Sequence, residues 1–265
     1  MNQLEQIEMI KKNPNMILSI KNPTDEMKLM AIKKHALLIE YIENPTREMQ
    51  ELALDKNASA IKFIEEPTED MMLKAINSGW IHLEYMKHPT EKVIRLAVEQ
   101  AGWAIKYVSN PSEELQLIAV RKNYDAIKFI KEPYESVQKE AVIINYEALR
   151  FIKTPTYETE LIAIRSNEAA IKFVKKLDKN KMLEFLKANI LVIKYIGKDI
   201  SKEELVETLK EVLSDETVDE KYVRDFINYN SIDHTDLKDM DKVLFIYKYG
   251  SKMAKKIAVD EKLKM

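Results

Sequence analysis

The 265-residue sequence contains no cysteine. That absence excludes disulfides, thiolate zinc sites, iron–sulfur ligation and cysteine nucleophiles together. Long apolar runs are also missing: stretches such as Val243–Tyr247 fall far short of the roughly 18–20 residues that a membrane span needs, so no membrane partner is expected. The opening residues MNQLEQIEMIKK lack the basic, then apolar, then small-residue order of a secretion signal, which predicts a cytosolic, cytoplasmic protein. No excess of one charge exists overall, since 42 Lys and Arg stand against 44 Asp and Glu; the net charge alone announces neither a nucleic acid nor a membrane. Motifs of the GxGxxG, Walker, GxSxG and HExxH kinds are absent, so no cofactor is expected and catalysis has little to stand on. With 46% hydrophobic and 32% charged residues, the chain can still bury a core.

What is present is a repeat. Pro23, Pro45, Pro67, Pro89, Pro111, Pro133 and Pro155 recur at intervals of 22 residues, and only Pro14 lies off that grid. The register extends back over 1–22 and forward over 177–198, giving nine repeats in 1–198. Each repeat opens with Pro-Thr-x-Glu or a near variant, a helix start in which Pro is pre-set for the first turn and Thr or a preceding Asn offers a cap. The sequence leaves open whether Asn22 or Thr24 is the cap. Ala recurs at the ninth position (Ala31, Ala53, Ala75, Ala97, Ala119, Ala141, Ala163), where a small side chain lets two helices approach closely. The thirteenth position holds His35, Asn57, Gly79, Ala101, Asn123, Asn145, Asn167 and Asn189, and Asn and Gly tolerate the left-handed conformation that ends a helix. A second segment, Ala-Ile-Lys-Phe-Ile or similar, follows. The pattern predicts an all-α fold: an α-solenoid of nine 22-residue helical-hairpin repeats, each stabilised by its neighbours. Residues 199–265 lose the repeat and are expected to form a C-terminal helical cap, with a capping box at Ser201–Glu204 and helices over 205–213, 217–229, 235–249 and 251–264.

The string Ala-Val-x-x-Asn-x-x-Ala-Ile-Lys-Phe-Ile at 119–130, repeated over most of 1–198, resembles an uncharacterised family of short two-helix repeats from bacteria and their phages and viruses. More loosely it is similar to leucine-rich-variant repeats, whose units alternate an α-helix with a 3₁₀ segment. The first resemblance implies fold and carries no functional residues; by analogy it suggests a phage or host-defence inhibitor. The second implies a second helix that is short or partly 3₁₀.

On a repeating scaffold, function belongs to exposed positions that vary. At 100° per residue, positions 14, 18 and 21 of each repeat share one direction. That face starts acidic, with Glu40 and Glu43, and becomes basic and aromatic. Charge follows the same course: residues 1–120 carry a net −4, 121–198 a net +6 and 199–265 a net −4. The candidate partner-binding residues are Trp80, Trp103, Tyr124, Lys128, Lys131, Tyr146, Arg150, Lys153, Lys172 and Lys175, with Tyr134 and Tyr157 as an extension. An acidic protein is the expected partner of such a non-enzymatic scaffold. The alternative is a nucleic-acid strand whose bases stack on the rings, and the plain reading is a solvated lysine face. The large aromatics are equally suited to filling gaps between repeats. His35, His82, His88 and His234 are expected at the surface rather than as metal ligands, and no metal site is expected. A third class, an enzyme with its site between solenoid and tail, predicts a closed pocket of polar groups there.

Overall fold

The computed structural model describes residues 2–229 and 240–264; His234 and the start of the helix expected over 235–249 lie outside the described residues. The architecture is all-α, a solenoid of regularly repeating helical elements followed by cap helices, and among the described residues there is no strand. The chain divides into two compact units, Met1–Lys131 and Glu132–Met265, so the division falls inside the repeat array and the cap shares a unit with the last repeats.

The physical logic of one repeat is visible in the N-terminal unit. Thr24, Thr46, Thr68, Thr90 and Ser112 are the N-caps, each hydroxyl accepting the backbone N–H three residues on. That satisfies one of the free donors of the first turn. The Asn before Pro is therefore not the cap. Asn22, Asn44 and Asn110 instead adopt the left-handed conformation, with φ of 58°, 47° and 51°, which Asn tolerates better than most side chains. Each α-helix, from Gln3–Lys12 to Glu113–Lys122, runs ten residues. Its ninth-position alanines Ala31, Ala53, Ala75, Ala97 and Ala119 are fully buried.

The thirteenth position corrects the sequence expectation. Asn57 (φ −155°), Asn123 (φ −145°) and the equivalent His35 (φ −143°) are extended rather than left-handed. The N–H of each ends the α-helix on the ninth-position carbonyl, as in Asn123 N to Ala119 O at 2.9 Å. The Asn57 side chain then caps the next segment by accepting from Ser59 N at 2.9 Å. That next segment is a six-residue 3₁₀ helix in every repeat of this unit: Pro14–Ser19, Ala36–Tyr41, Ala58–Phe63, Trp80–Tyr85, Gly102–Tyr107 and Tyr124–Phe129. Its inner face buries positions 16 and 17, for example Ala104 with Ile105 and Ala126 with Ile127.

The C-terminal unit repeats the plan in Glu135–Ile144 with Tyr146–Phe151 and in Tyr157–Ser166 with Glu168–Phe173. In the ninth repeat the helix Lys179–Ala188 leads into a shortened 3₁₀ turn, Ile190–Val192, which continues as the α-turn Ile193–Ile196. Here Phe185 takes the place of the ninth-position alanine, fully buried with Tyr157 stacked on it at 6.3 Å. The cap comprises Lys202–Ser214, Glu220–Asn228, Lys242–Tyr249 and Lys252–Lys262, and both halves of the capping box between Ser201 and Glu204 are formed.

Candidate partner-binding face

A 3₁₀ helix turns by about 120° per residue, so side chains three apart eclipse one another. The α-helical wheel that grouped positions 14, 18 and 21 therefore does not apply. Position 14 turns inward: Ala36, Gly102 and Ile190 are buried there, and Trp80, Tyr124, Tyr146 and Glu168 are half-buried. Positions 15 and 18 form the outer edge, joined by an aromatic ring at position 19.

In the N-terminal unit the half-buried Trp80 packs against Tyr107 of the next repeat, ring centroids 6.4 Å apart, with Lys106 Nζ 5.6 Å from the indole and 4.4 Å from the tyrosine ring. Trp80 thus fills a gap between repeats. Trp103, at position 15, is 38% exposed, and its indole N–H donates to Asp125 Oδ1 at 2.7 Å. Asp125 also accepts from Lys128 Nζ at 2.6 Å. Burial works against ionisation of Asp125, but the hydrogen bonds from Lys128 and Trp103 outweigh it and hold the carboxyl below its ordinary range. Lys128 also lies 5.0 Å from the Phe129 ring. Tyr124 is half-buried at the start of the same 3₁₀ helix, and Lys131 is exposed just past its end.

The C-terminal unit carries its own share. Tyr146 stacks on Phe173 at 6.4 Å, again a ring between repeats. Arg150 is exposed, 4.8 Å from the Phe151 ring and 3.7 Å from Glu147 at position 15. Lys172 is exposed and lies 4.9 Å from the Tyr195 ring. Lys194 pairs with Glu168 at 2.8 Å; burial opposes ionisation of that carboxyl, and the Lys194 hydrogen bond more than offsets it, so Glu168 is held low. Lys175 is exposed, but its ammonium is engaged: it donates to the carbonyls of Ile152 and Lys153 at 3.1 and 3.0 Å, binding two repeats together. Lys153 itself is exposed. Tyr134 and Tyr157, both exposed, flank the starts of α-helices and not the 3₁₀ edge.

Sequence reasoning missed the aromatic row at position 19, Tyr41, Phe63, Tyr85, Tyr107, Phe129, Phe151, Phe173 and Tyr195, because it sought function only at positions that vary. Four of these rings (Tyr41, Tyr85, Phe129 and Tyr195) are exposed and the others half-buried. The signal was there: every repeat from the second to the ninth has Phe or Tyr at this position, while its neighbour at 20 is always aliphatic or Met. It also missed the acids at position 15, Asp125 and Glu147.

Two other expectations meet the structure here. His82 is buried, not superficial: Nδ1 is 2.8 Å from Gly79 O and Nε2 is 3.4 Å from Ser59 Oγ, so the imidazole fills a core position held by Ala60 and Ala104 in the adjacent repeats. A polar cavity of about 360 Å³ does lie between the last repeats and the cap, lined by residues including Arg165, Lys187, Glu211, Asp215 and Tyr222. Several of its charges engage one another, Lys187 with Glu211 at 2.8 Å and Lys221 with Asp225 at 2.7 Å, and Asp215 accepts from the Thr217 N–H and hydroxyl, both at 2.8 Å. Among the described residues its lining holds no His, Cys or Ser. The Tyr222 hydroxyl is buried with no hydrogen-bond partner among the described residues, and burial pushes the phenol upward. Among the described residues no three His, Cys, Asp or Glu side chains gather as metal ligands, and no helix is long and apolar enough to cross a membrane.

Comparison of the chain with protein-family models, with curated proteins and with solved structures finds no match.

Proposed function

We propose that the protein is a non-enzymatic, cytoplasmic scaffold that captures an acidic protein partner through the outer edges of its 3₁₀ helices. The observation carrying this reading is the repeated cation at position 18 laid against an aromatic ring: Lys62, Lys106, Lys128, Arg150, Lys172 and Lys194 each lie within 5.8 Å of at least one ring centroid. A cation held on a ring keeps its charge outward and loses little freedom when a carboxylate arrives. The exposed Trp103 indole and the position-19 rings supply the apolar contact that makes such a surface specific. The same rings and cations suit a single nucleic-acid strand, the rival reading. Asp125, Glu147 and Glu168 beside the cations repel any anion, so they weigh most against a strand that carries a charge on every nucleotide and least against a protein surface that mixes carboxylates with apolar groups. Membership of the short-repeat family, and with it a role as a phage or host-defence inhibitor, rests on the sequence motif alone.

Fluorescence anisotropy with a labelled 20-residue polyglutamate and a labelled 20-nucleotide thymidine strand, over a salt series, separates the readings. Polyglutamate should bind the wild type and be lost when Lys128, Arg150 and Lys172 are changed together to Glu, with circular dichroism unchanged. Equal binding by that variant would sink the proposal. Tighter binding of the thymidine strand, with the steep salt dependence of counterion release, would move the face to nucleic acid. A pulldown with nuclease treatment then names the natural partner.

A further inference from the structure

A helical hairpin that packs on one side usually carries polar residues on its other side. The hairpin formed by Lys242–Tyr249 and Lys252–Lys262 departs from that rule. Helices Lys242–Tyr249 and Lys252–Lys262 turn Phe245, Ile246, Ala254, Ile257 and Ala258 inward, packing on the helices Lys202–Ser214 and Glu220–Asn228. They leave Tyr247 73%, Val259 58% and Leu263 82% exposed on the outside. Between the two helices runs a groove of about 250 Å³, walled by Val243, Tyr247, Val259 and Leu263 and edged by Lys255 and Lys262. Lys255 lies 5.8 Å from the Tyr247 ring, so the cation forms part of the lip.

Charge separates this hairpin from the rest of the cap. Residues 199–265 are net −4, yet residues 240–264 hold seven lysines against three acids, and one of those acids, Glu261, is taken up by Arg224 and Asn228. An apolar floor with a lysine rim calls for an occupant that is apolar along one stripe and acidic beside it. A second copy fails that requirement, since two-fold pairing would set each lysine rim against its own image. The groove is also walled by two helices, whose backbone groups are paired internally along their length. It offers no strand edge to an extended peptide and must recognise side chains alone. An occupant that satisfies its own backbone meets that condition, and a helix does so.

We propose that this groove is a docking site for an amphipathic α-helix of a partner protein, one bearing a Leu-type stripe flanked by Asp or Glu. The surface is independent of the 3₁₀ face, so either can fail without the other.

The probe is a capped, fluorescein-labelled 18-residue helical peptide with Leu at i, i+3, i+4 and i+7 spacing and Glu at flanking positions, titrated with the full chain. Its twin carries Lys in place of Glu. The Glu peptide should bind more tightly than the Lys peptide. Val259→Asp or Leu263→Asp, both at exposed sites, should weaken it about tenfold, the loss of one interface anchor. The pair Lys255→Glu and Lys262→Glu should reverse the preference between the two peptides, an outcome that mere loss of packing does not produce. The proposal is overturned if the Glu peptide does not bind, or binds Val259→Asp and Leu263→Asp as well as wild type. It is overturned equally if sedimentation finds a dimer abolished by Val259→Asp, making a second copy the occupant. Vesicles of phosphatidylserine and phosphatidylcholine that bind through Val259 without competition from the peptide would assign the face to a lipid surface and likewise reject it.

Discussion

Replacing Gly102 by Ala puts a methyl group where the structure has no room. A Cβ at Gly102 would lie 2.1 Å from Ala119 O and 3.2 Å from Asn123 N. Those atoms form the 2.9 Å hydrogen bond that ends the helix Glu113–Lys122. The Gly102 N–H in turn donates to Asn123 Oδ1 at 2.9 Å, so the two repeats are clasped at this point. The obstacle is backbone and cannot rotate away; relief requires the repeats to separate by roughly 1 Å. Overpacking of that kind costs about 1–3 kcal/mol, and weakening the helix-ending hydrogen bond adds about 1 kcal/mol, for a total of about 2–4 kcal/mol. Gly79→Ala is the matched control. Its Cβ would meet only the His82 ring, at 3.8 Å, and its backbone (φ 167°) is extended, which any residue adopts. That change should be neutral, or stabilise by about 0.4–1 kcal/mol through the unfolded chain. Urea unfolding gives the free energies, and hydrogen exchange gives the location: Gly102→Ala should lose protection in 100–126 while 137–165 is unaffected. Equal stability of the two variants would refute the reasoning, because it would mean that the repeats slide without cost.

Glu160, almost fully buried, is paired with Lys181 at 2.5 Å, whereas the equivalent Gln116 and Gln138 donate to the carbonyls of Pro111 and Pro133 at 3.0 and 3.1 Å. Lys181→Met should therefore destabilise by about 2–4 kcal/mol by stranding a buried carboxylate, and adding Glu160→Gln should recover most of the loss in urea unfolding. The depressed carboxyl of Asp125 contributes stability that is fully present above the unfolded value of about 3.9 and is lost as pH falls through the lower folded value. Asp125→Asn should flatten the acid limb of the unfolding midpoint below about pH 4, and a wild-type slope in the variant would reject that assignment. Ala119 is fully buried between helices, so Ala119→Glu should open the repeat locally, seen as lost exchange protection. On the binding face, Asp125→Asn with Glu147→Gln should tighten polyglutamate binding severalfold in anisotropy; weakening would mean that acids do not bind there.

The repeat register, the helix starts and the alanine contacts were legible because each depends on local chemistry tied to one residue type. A Pro-Thr pair marks a helix start, though it left the choice between Asn22 and Thr24 as cap open, and an alanine at Ala97 or Ala141 fits where larger side chains do not. What misled was pitch. Six residues bounded by an extended Asn and an extended Ile are too few to declare a period, so the α-helical wheel looked adequate. It moved Trp80, Tyr124 and Tyr146 outward, while the row from Tyr41 to Tyr195 was passed over because it does not vary. Asn carried a second ambiguity. It tolerates left-handed backbone and also caps with its side chain, and the array uses it for both, Asn22 and Asn44 for the first and Asn57 and Asn145 for the second. The His82 imidazole was illegible for a different reason: its partners, Gly79 O and Ser59 Oγ, include one from another repeat.

The 3₁₀ pitch also decides what kind of charge the face presents. With 120° per residue, an acid at position 15 stands directly beneath a cation at position 18, as in Asp125 with Lys128 and Glu147 with Arg150. The next residue in each case is a ring, Phe129 or Phe151, on which the cation lies. Each cation is thus restrained from two sides, by a carboxylate that it only partly neutralises in water and by an aromatic face. A long side chain so held has already lost much of the rotamer freedom that binding would otherwise remove, which is of order 1.5–2 kcal/mol for Lys or Arg. A partner carboxylate meeting this face competes with an acid of its own kind for a pre-placed cation, and gains the ring beside it. That favours a partner that brings apolar and acidic groups together over one that brings charge alone. A folded acidic protein surface fits that description better than a bare polyphosphate backbone.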